Sequence, residues 1–330
     1  MPDFDVTVVG ELNLDLILYG LPNELAPERE LLADGLTLTL GSSSAIFAHN
    51  LATLGTRVGF ISRIGNDPLG QIALDRLAAG GVDILQVRKV SGPTSTGLTV
   101  ILPRAKFRNI LTYPGTMHEM CFEDLDLDYL TSARHFHMSS FFLHRGLRSQ
   151  MADLFKKLKA SGVSVSLDTN DDPDDEWDSN LNAVLRFVDV FLPNAREAKK
   201  IAGTDDLPTA VSRLTQLVPA VAVKLGPEGA LVRCGREEFR GSAVNVEAVD
   251  PVGAGDSFDA GFIHQYVRGA DSATCLAYGN LVGAFSTTRP GGTEAFRDRK
   301  HLDEFLKQHW ALSGPEKPEP PEARPWRNHD

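Results

Sequence analysis

Four short runs, Val6–Val9, Val163–Leu167, Val188–Leu192 and Val221–Leu225, are apolar at nearly every position and rich in β-branched residues. A strand buried on one face alternates apolar with polar residues. A run apolar throughout suits a strand covered on both faces, as in a parallel sheet. Helical spacing lies between the runs, over Ala45–Leu54, Leu69–Ala79, Leu147–Lys159, Glu197–Ala202 and Pro208–Leu217. In the third of these, Leu147, Met151, Leu154, Phe155 and Leu158 recur on one helical face. Alternation of strand and helix predicts a doubly wound α/β fold, with a mainly parallel sheet in a three-layer α/β/α sandwich. Two stretches break the rhythm. Leu12–Leu18 with Leu36–Leu40, and Gly97–Leu102 with Asn109–Tyr113, read as antiparallel strands of a small second sheet, a lid, with Lys106–Asn109 at a hairpin tip. Residues 1–312 are expected to form one domain. Residues 313–330, rich in Pro and charge, are expected to form no regular element, with Trp326 the one anchor for docking.

Charge narrows the partners. The 330 residues carry 33 basic and 44 acidic side chains, a net charge of −11. Nucleic acid and anionic membranes are therefore poor partners, and any phosphate must be bound locally, through backbone amides and a metal. Cys121, Cys234 and Cys275 are odd in number and widely spaced, which suits small core residues in a reducing compartment. No apolar run approaches the ~20 residues of a membrane span. The start, MPDFDVTVVG, enters a strand directly, so the expected location is the cytoplasm.

The run Asp250–Phe262, DPVGAGDSFDAGF, carries the most chemistry. Gly253-Ala254-Gly255 can adopt backbone angles that larger side chains resist. Asp256-Ser257 falls where a helix should begin, ahead of Phe258, Ala260, Phe262 and Ile263. A small-residue loop entering a helix offers unpaired N–H groups and a positive dipole end, an anion site. A carboxylate in the first turn then sits where an acceptor hydroxyl would meet a phosphoryl group. Taken alone, the same letters would also describe an ordinary turn capped by Asp.

Other phosphate signatures fail. There is no GxxxxGK[ST]; GAGDSF puts Phe258 at the third glycine of a dinucleotide fingerprint. Asp168–Asp172 starts like a calcium loop, but Pro173 and Ser179 occupy the positions of the required Gly and Glu. The acidic run through Asp178 reads as a solvated loop, with Asp168 and Asn170 at the carboxyl end of a strand, where open α/β sheets bind ligands. Asn194 and Glu197 have the spacing of a capping box. The nine histidines show no metal-binding spacing.

The order of these pieces resembles the PfkB-type carbohydrate kinases of the ribokinase-like fold, over roughly residues 4 to 310. GELNLDLI resembles the family's first strand, with Asn13 and Asp15 matching its ribokinase form. GSSSAIFAHNLATLG resembles the first family signature, FLPNAREA carries NxxE as Asn194 and Glu197, and DPVGAGDSFDAGF is the second signature. VAVKLGPEGALV and GNLVGAFSTTRPGG resemble the segments beside the nucleotide. Two positions depart. The first signature usually opens with two glycines and has an Asn five positions on, where this chain has Gly41, Ser42 and Ile46. Asp172 stands where the ketodeoxygluconate branch has an Arg, which argues against an acidic sugar.

The resemblance implies transfer of the ATP γ-phosphoryl group to a primary hydroxyl of a neutral, ribose- or fructose-like sugar. Asp256 would be the general base, and the N–H groups of Gly253, Ala254 and Gly255 the anion hole. Asn13, Asp15, Gly41, Ser42 and Ser43 would bind the acceptor. Asn194, Lys224, Gly226, Gly229, Gly255 and Asn280 would line ATP, and Asn194 with Glu197 would organise Mg2+, partly through water. A potassium site is implied at Asp250 with the carbonyls of Val252, Ser286, Arg289 and Gly291. Separately, an antiparallel lid sheet with an exposed edge would be a natural homodimer contact. Two alternatives stay open: a nucleoside or vitamin-alcohol kinase of the same fold, and a non-catalytic sugar or nucleotide sensor.

Overall fold

The structure, a computed structural model, describes residues 2–104, 107–177 and 180–313. The expectations for Lys106, Asp178, Ser179, Trp326 and the tail beyond Ser313 fall outside the described residues.

Nine strands form the main sheet: β1 (Phe4–Val9), β4 (Val58–Gly65), β5 (Asp83–Val90), β8 (Ala133–Met138), β9 (Ser164–Leu167), β10 (Val190–Phe191), β11 (Ala220–Lys224), β12 (Ala230–Cys234) and β13 (Glu237–Gly241). Their order is β13-β12-β11-β10-β9-β8-β1-β4-β5. Every pair from β11 to β5 is parallel; β12 and β13 close one edge as an antiparallel hairpin. Helices cover both faces: α1 (Ser43–Thr53), α2 (Pro68–Ala79), α3 (Leu127–Thr131), α4 (Met151–Ala160), α5 (Leu181–Leu185), α6 (Ala195–Ala202), α7 (Leu207–Leu214), α8 (Ala254–Tyr266), α9 (Ser272–Ser286) and α10 (Arg299–Ser313).

The two-faced runs behave as their composition requires. Successive side chains in a strand point to opposite faces. Thus Val221 and Val223 enter the core under α4–α7, while Ala220 and Ala222 enter the core under α1 and α8. Val9 and Val6 with Val8 divide the same way. Polar atoms inside the sheet are matched: His135 hydrogen-bonds Ser164 and Ser166 at 2.7 Å each, and His137 bonds Ser166 at 2.7 Å and Ser139 at 2.8 Å. Burial pushes the His135 imidazole down to about 3, so it is neutral. No disulfide links the cysteines; Cys275 is buried, while Cys121 and Cys234 are only half-buried, so two of the three are not the core residues expected. No helix among the described residues is long and apolar enough to cross a membrane.

The second sheet contains β2 (Leu14–Tyr19), β3 (Gly35–Leu40), β6 (Leu98–Arg104) and β7 (Phe107–Tyr113), in the order β3-β2-β6-β7. Its outer pairs are antiparallel, as expected, and the central β2–β6 pair is parallel, because β6 enters from the main sheet in the same direction as β2. Arg108 and Asn109 belong to β7 rather than to the hairpin tip, since Arg104 pairs with Phe107. The sheet roots at the site: β2 follows β1 directly, β3 runs through Gly41 into α1, and Ile17 and Ile101 pack on Val252.

Candidate active site

Gly253 caps α8 with φ 72°, a left-handed angle that a side chain would strain. A Cβ at Gly253 would also lie 2.5 Å from the Cα of Gly292. The helix therefore starts at Ala254, two residues earlier than the sequence suggested, and Asp256 occupies its first turn. Asp256 is 8% exposed. Burial, then the charge of Asp168, pushes its carboxyl up to about 6, while a hydrogen bond with Ser43 pulls the other way.

Three glycines near this carboxylate leave room for polar side chains of neighbouring segments. A Cβ on Gly41 would meet Asp15 Oδ1 at 2.1 Å, one on Gly97 would meet Asn13 Oδ1 at 2.5 Å, and one on Gly10 would meet Ser44 Oγ at 2.0 Å. Asp15 is pushed up to about 7 by burial and by the charges of Asp256 and Asp250, so these carboxylates share one cleft. Ser42, standing at a usual glycine position, has φ 70°. Its hydroxyl accepts from the Asn13 N–H at 3.0 Å, a bond that glycine could not make. Ile46 is buried against Gly253 and Gly292, so this side chain supports the loop.

The structure adds groups that the sequence analysis missed or left as loop. Glu11, 3% exposed, accepts from Ser44 Oγ and Ser140 Oγ at 2.8 Å each and contacts His144 Nε2 at 3.0 Å. Burial works against its charge, but these donors hold its carboxyl below the usual range. Asn170 takes the Ser140 N–H on Oδ1 at 2.9 Å, which directs its Nδ2 to Ser43 Oγ at 3.0 Å. With that lone pair engaged, the Ser43 hydroxyl is free to donate to Asp256. Asp168 is buried at the strand end, at 1% exposure, and the run after it is solvent-exposed at Asp171 and Asp174–Glu176 as expected; Asp172, at 4% exposure, is the exception. Asp172 accepts the N–H groups of Asp174, Glu176 and Trp177 and so shapes the loop.

Beside α8, Lys224 Nζ lies 2.7 Å from Asp168 and 3.0 Å from Asp259. It also sits 3.7 Å from where a Cβ on Gly255 would be. Burial alone would lower its pKa; the carboxylates of Asp168, Asp259 and Glu197 outweigh burial and keep it charged. Asn194 and Glu197 do form the capping box of α6. Burial and then Asp168 push Glu197 up to about 8. This excess of buried carboxylate beside one ammonium fits a hydrated divalent cation, which would return such groups to their charged form. Gly226 (φ 61°) has open space where a side chain would stand. Gly229 and Asn280 meet at the end of β13, where Asn280 Nδ2 donates to Gly241 O at 3.1 Å.

Asp250, the side chain expected to ligate potassium, is engaged by protein donors. The Asp250 carboxylate accepts from Tyr19 Oη, Val252 N and Gly291 N at 3.0 Å each. Ser286 Oγ lies 3.5 Å from Gly292 O. The Arg289 side chain turns away to Asp298 at 3.0 Å, leaving only its carbonyl for such a role. Three of the roughly four carboxylate lone pairs of Asp250 are occupied, so one stays open to a cation.

Residues 3–299 match the pattern described as the pfkB family carbohydrate kinases. The chain belongs to that family. An uncharacterised sugar kinase of Archaeoglobus fulgidus is 30% identical over 245 residues, covering 74% of this chain and 96% of the relative. The 2-dehydro-3-deoxygluconokinase of Bacillus subtilis is 28% identical, covering 81% of this chain and 86% of its own. Among solved structures, a protein of E. coli assigned as a ribokinase II, in complex with ATP and Mg2+, superposes with a TM-score of 0.79 at 26% identity, covering 93% and 100% of the two chains. The kinase fold, with its mainly parallel sheet and lid, is thus the one the motifs implied.

Proposed function

We propose that this carbohydrate kinase transfers the ATP γ-phosphoryl group to a primary hydroxyl of a neutral sugar, with Asp256 as general base. One observation carries the reading: Asp256 sits buried in the first turn of α8, behind the Gly253–Gly255 loop and in the same cleft as Asp15. The acceptor oxygen would attack the γ-phosphorus as the bond to the β-phosphate oxygen breaks. The hydroxyl proton would pass to Asp256, whose ionised form prevails above about pH 6. Backbone N–H groups of residues 253–255, of which that of Ala254 would have to leave Pro251 O, to which it donates at 3.3 Å, and the α8 dipole would stabilise the charge on the transferring group. Asn13 and Asp15 would hold the acceptor hydroxyls. Asn194 and Glu197 would hold Mg2+ through water, and the ion would neutralise phosphate charge. Potassium at Asp250 is part of the same proposal, tested by comparing rates in K+ and Na+.

A neutral acceptor is favoured by the carboxylates around the cleft, Glu11, Asp15, Asp168 and Asp250, all buried. They would repel an anionic sugar. Asp172, at the position where an acid-sugar kinase would have an Arg, is occupied with backbone N–H groups. The test is ADP release with Mg-ATP across neutral pentoses and hexoses, 2-dehydro-3-deoxygluconate and nucleosides. Turnover highest on a neutral sugar is expected; preference for the acid sugar or a nucleoside contradicts the substrate class. Binding without turnover on any acceptor would favour the sensor.

A further inference from the structure

A cavity of about 550 Å3 opens away from this cleft, among α1, the end of α2 and the segment after Gly292. Its walls include His49, Gly80, Thr293 and three arginines, Arg76, Arg297 and Arg299, with Asp75 the one carboxylate. So many guanidiniums on one cavity are unexpected in a chain of net charge −11. Arg299 is paired with Asp303 at 3.3 Å, whereas Arg76 and Arg297 share a single partner, Glu294, at 2.8 Å each, so the unspent positive charge lies on that pair. His49 is buried; Asn50 Oδ1 takes its Nδ1 at 2.9 Å. Its Nε2 borders the cavity beside Gly80, 3.0 Å from where a Cβ there would stand.

Both walls connect to the reaction cleft. Behind His49, Asn50 Nδ2 donates to Ser257 Oγ at 2.9 Å and to Gly292 O at 3.0 Å. Ser257 adjoins Asp256, and Gly292 packs on Gly253. On the arginine wall, Glu294 Oε1 accepts from Arg76 and from Thr39 Oγ1, both at 2.8 Å. Thr39 is the cross-strand partner of Asp15 in the lid.

We propose that this cavity is a second binding site, for a phosphorylated small metabolite, and that its occupancy alters acceptor binding in the cleft. Planar guanidinium forks suit a phosphate ester dianion, and the volume is in the range of small-molecule sites, well above that of a bare phosphate. An ester on Arg76 and Arg297 competes with Glu294 for them and so changes the hold of its carboxylate on Thr39 of the lid strand. Coupling of this kind is reciprocal, so acceptor must also change ester affinity.

Equilibrium dialysis of the full chain with radiolabelled ribose 5-phosphate or inorganic phosphate, in excess Mg-ADP, tests the site. Wild-type protein should bind the ester at least about 10-fold more tightly than phosphate. Arg76→Gln and Arg297→Gln should each weaken ester binding about 10-fold; Arg297 is 59% exposed on its side chain, so its variant keeps the fold. In turnover, saturating ester should shift the acceptor KM by about 5-fold or more in wild type and not in Arg297→Gln. Absent or equal binding in wild type and variants overturns the site; equal affinity for phosphate and ester overturns the ester assignment; an unmoved KM overturns the coupling. The binding arm reads out whether or not the acceptor assignment holds.

Discussion

Asp15 and Asp256 are carboxylates held near pH 7 and pH 6, against an ordinary value of 3.8, by burial and then by neighbouring carboxylates, Asp256 and Asp250 for the first and Asp168 for the second. The proposed mechanism needs Asp256 ionised, so kcat/KM should fall as pH drops through about 6, and the limb should vanish in Asp256→Asn. Stability has the opposite sign. Both groups bind protons more tightly folded than unfolded, so their own contribution to stability is full below about pH 4 and is lost as pH rises through 6 and 7. Asp15→Asn should therefore raise the melting temperature by several degrees at pH 8 and leave it nearly unchanged at pH 4. It should also raise the acceptor KM about 10-fold or more. An unchanged pH 8 melting temperature would contradict the burial of a charged Asp15. Asp256 was legible in the sequence because its loop, helix and carboxylate are contiguous. Glu11 was not: its imidazole partner is His144, 133 residues away, and no local spacing records that contact.

Lys224 shows how elements are tied at the site. It joins the end of β11 to Asp168 after β9 and to Asp259 on α8. Removing it strands buried carboxylates, so Lys224→Met should destabilise by about 3–5 kcal/mol in denaturant titration. Adding Asp259→Asn should restore part of the loss; additive losses would contradict a coupled triad. Element types were readable because hydrophobic period separates helices from two-faced strands. Their ends shifted where the decisive contact was remote, as at Ala254, where the close approach of Gly292 to Gly253 fixes the start of α8. The capping box at Asn194 and Glu197 is present, and its carboxylate faces Asp168 as well, so the structural and ligand-binding readings of NxxE are compatible.

At the scale of the molecule, the sandwich was legible and the lid's internal pairing was not, since β2 and β6 meet from distant segments and nothing in either specifies a parallel neighbour. The lid exposes Leu36, Ile110, Leu111 and Tyr113, each more than half exposed, a surface suited to a second copy. Sedimentation equilibrium should give a dimer for wild type and a monomer for Ile110→Asp; a wild-type monomer would contradict pairing through the lid. The central claim, that Asp256 takes the acceptor proton during phosphoryl transfer, is tested most directly by single-turnover transfer from [γ-32P]ATP to the preferred sugar in wild type and Asp256→Asn. The account predicts a loss of about 10²–10⁴-fold in the transfer rate with ATP and sugar affinities nearly unchanged. A loss below about 10-fold in a folded variant that still binds both substrates would contradict it.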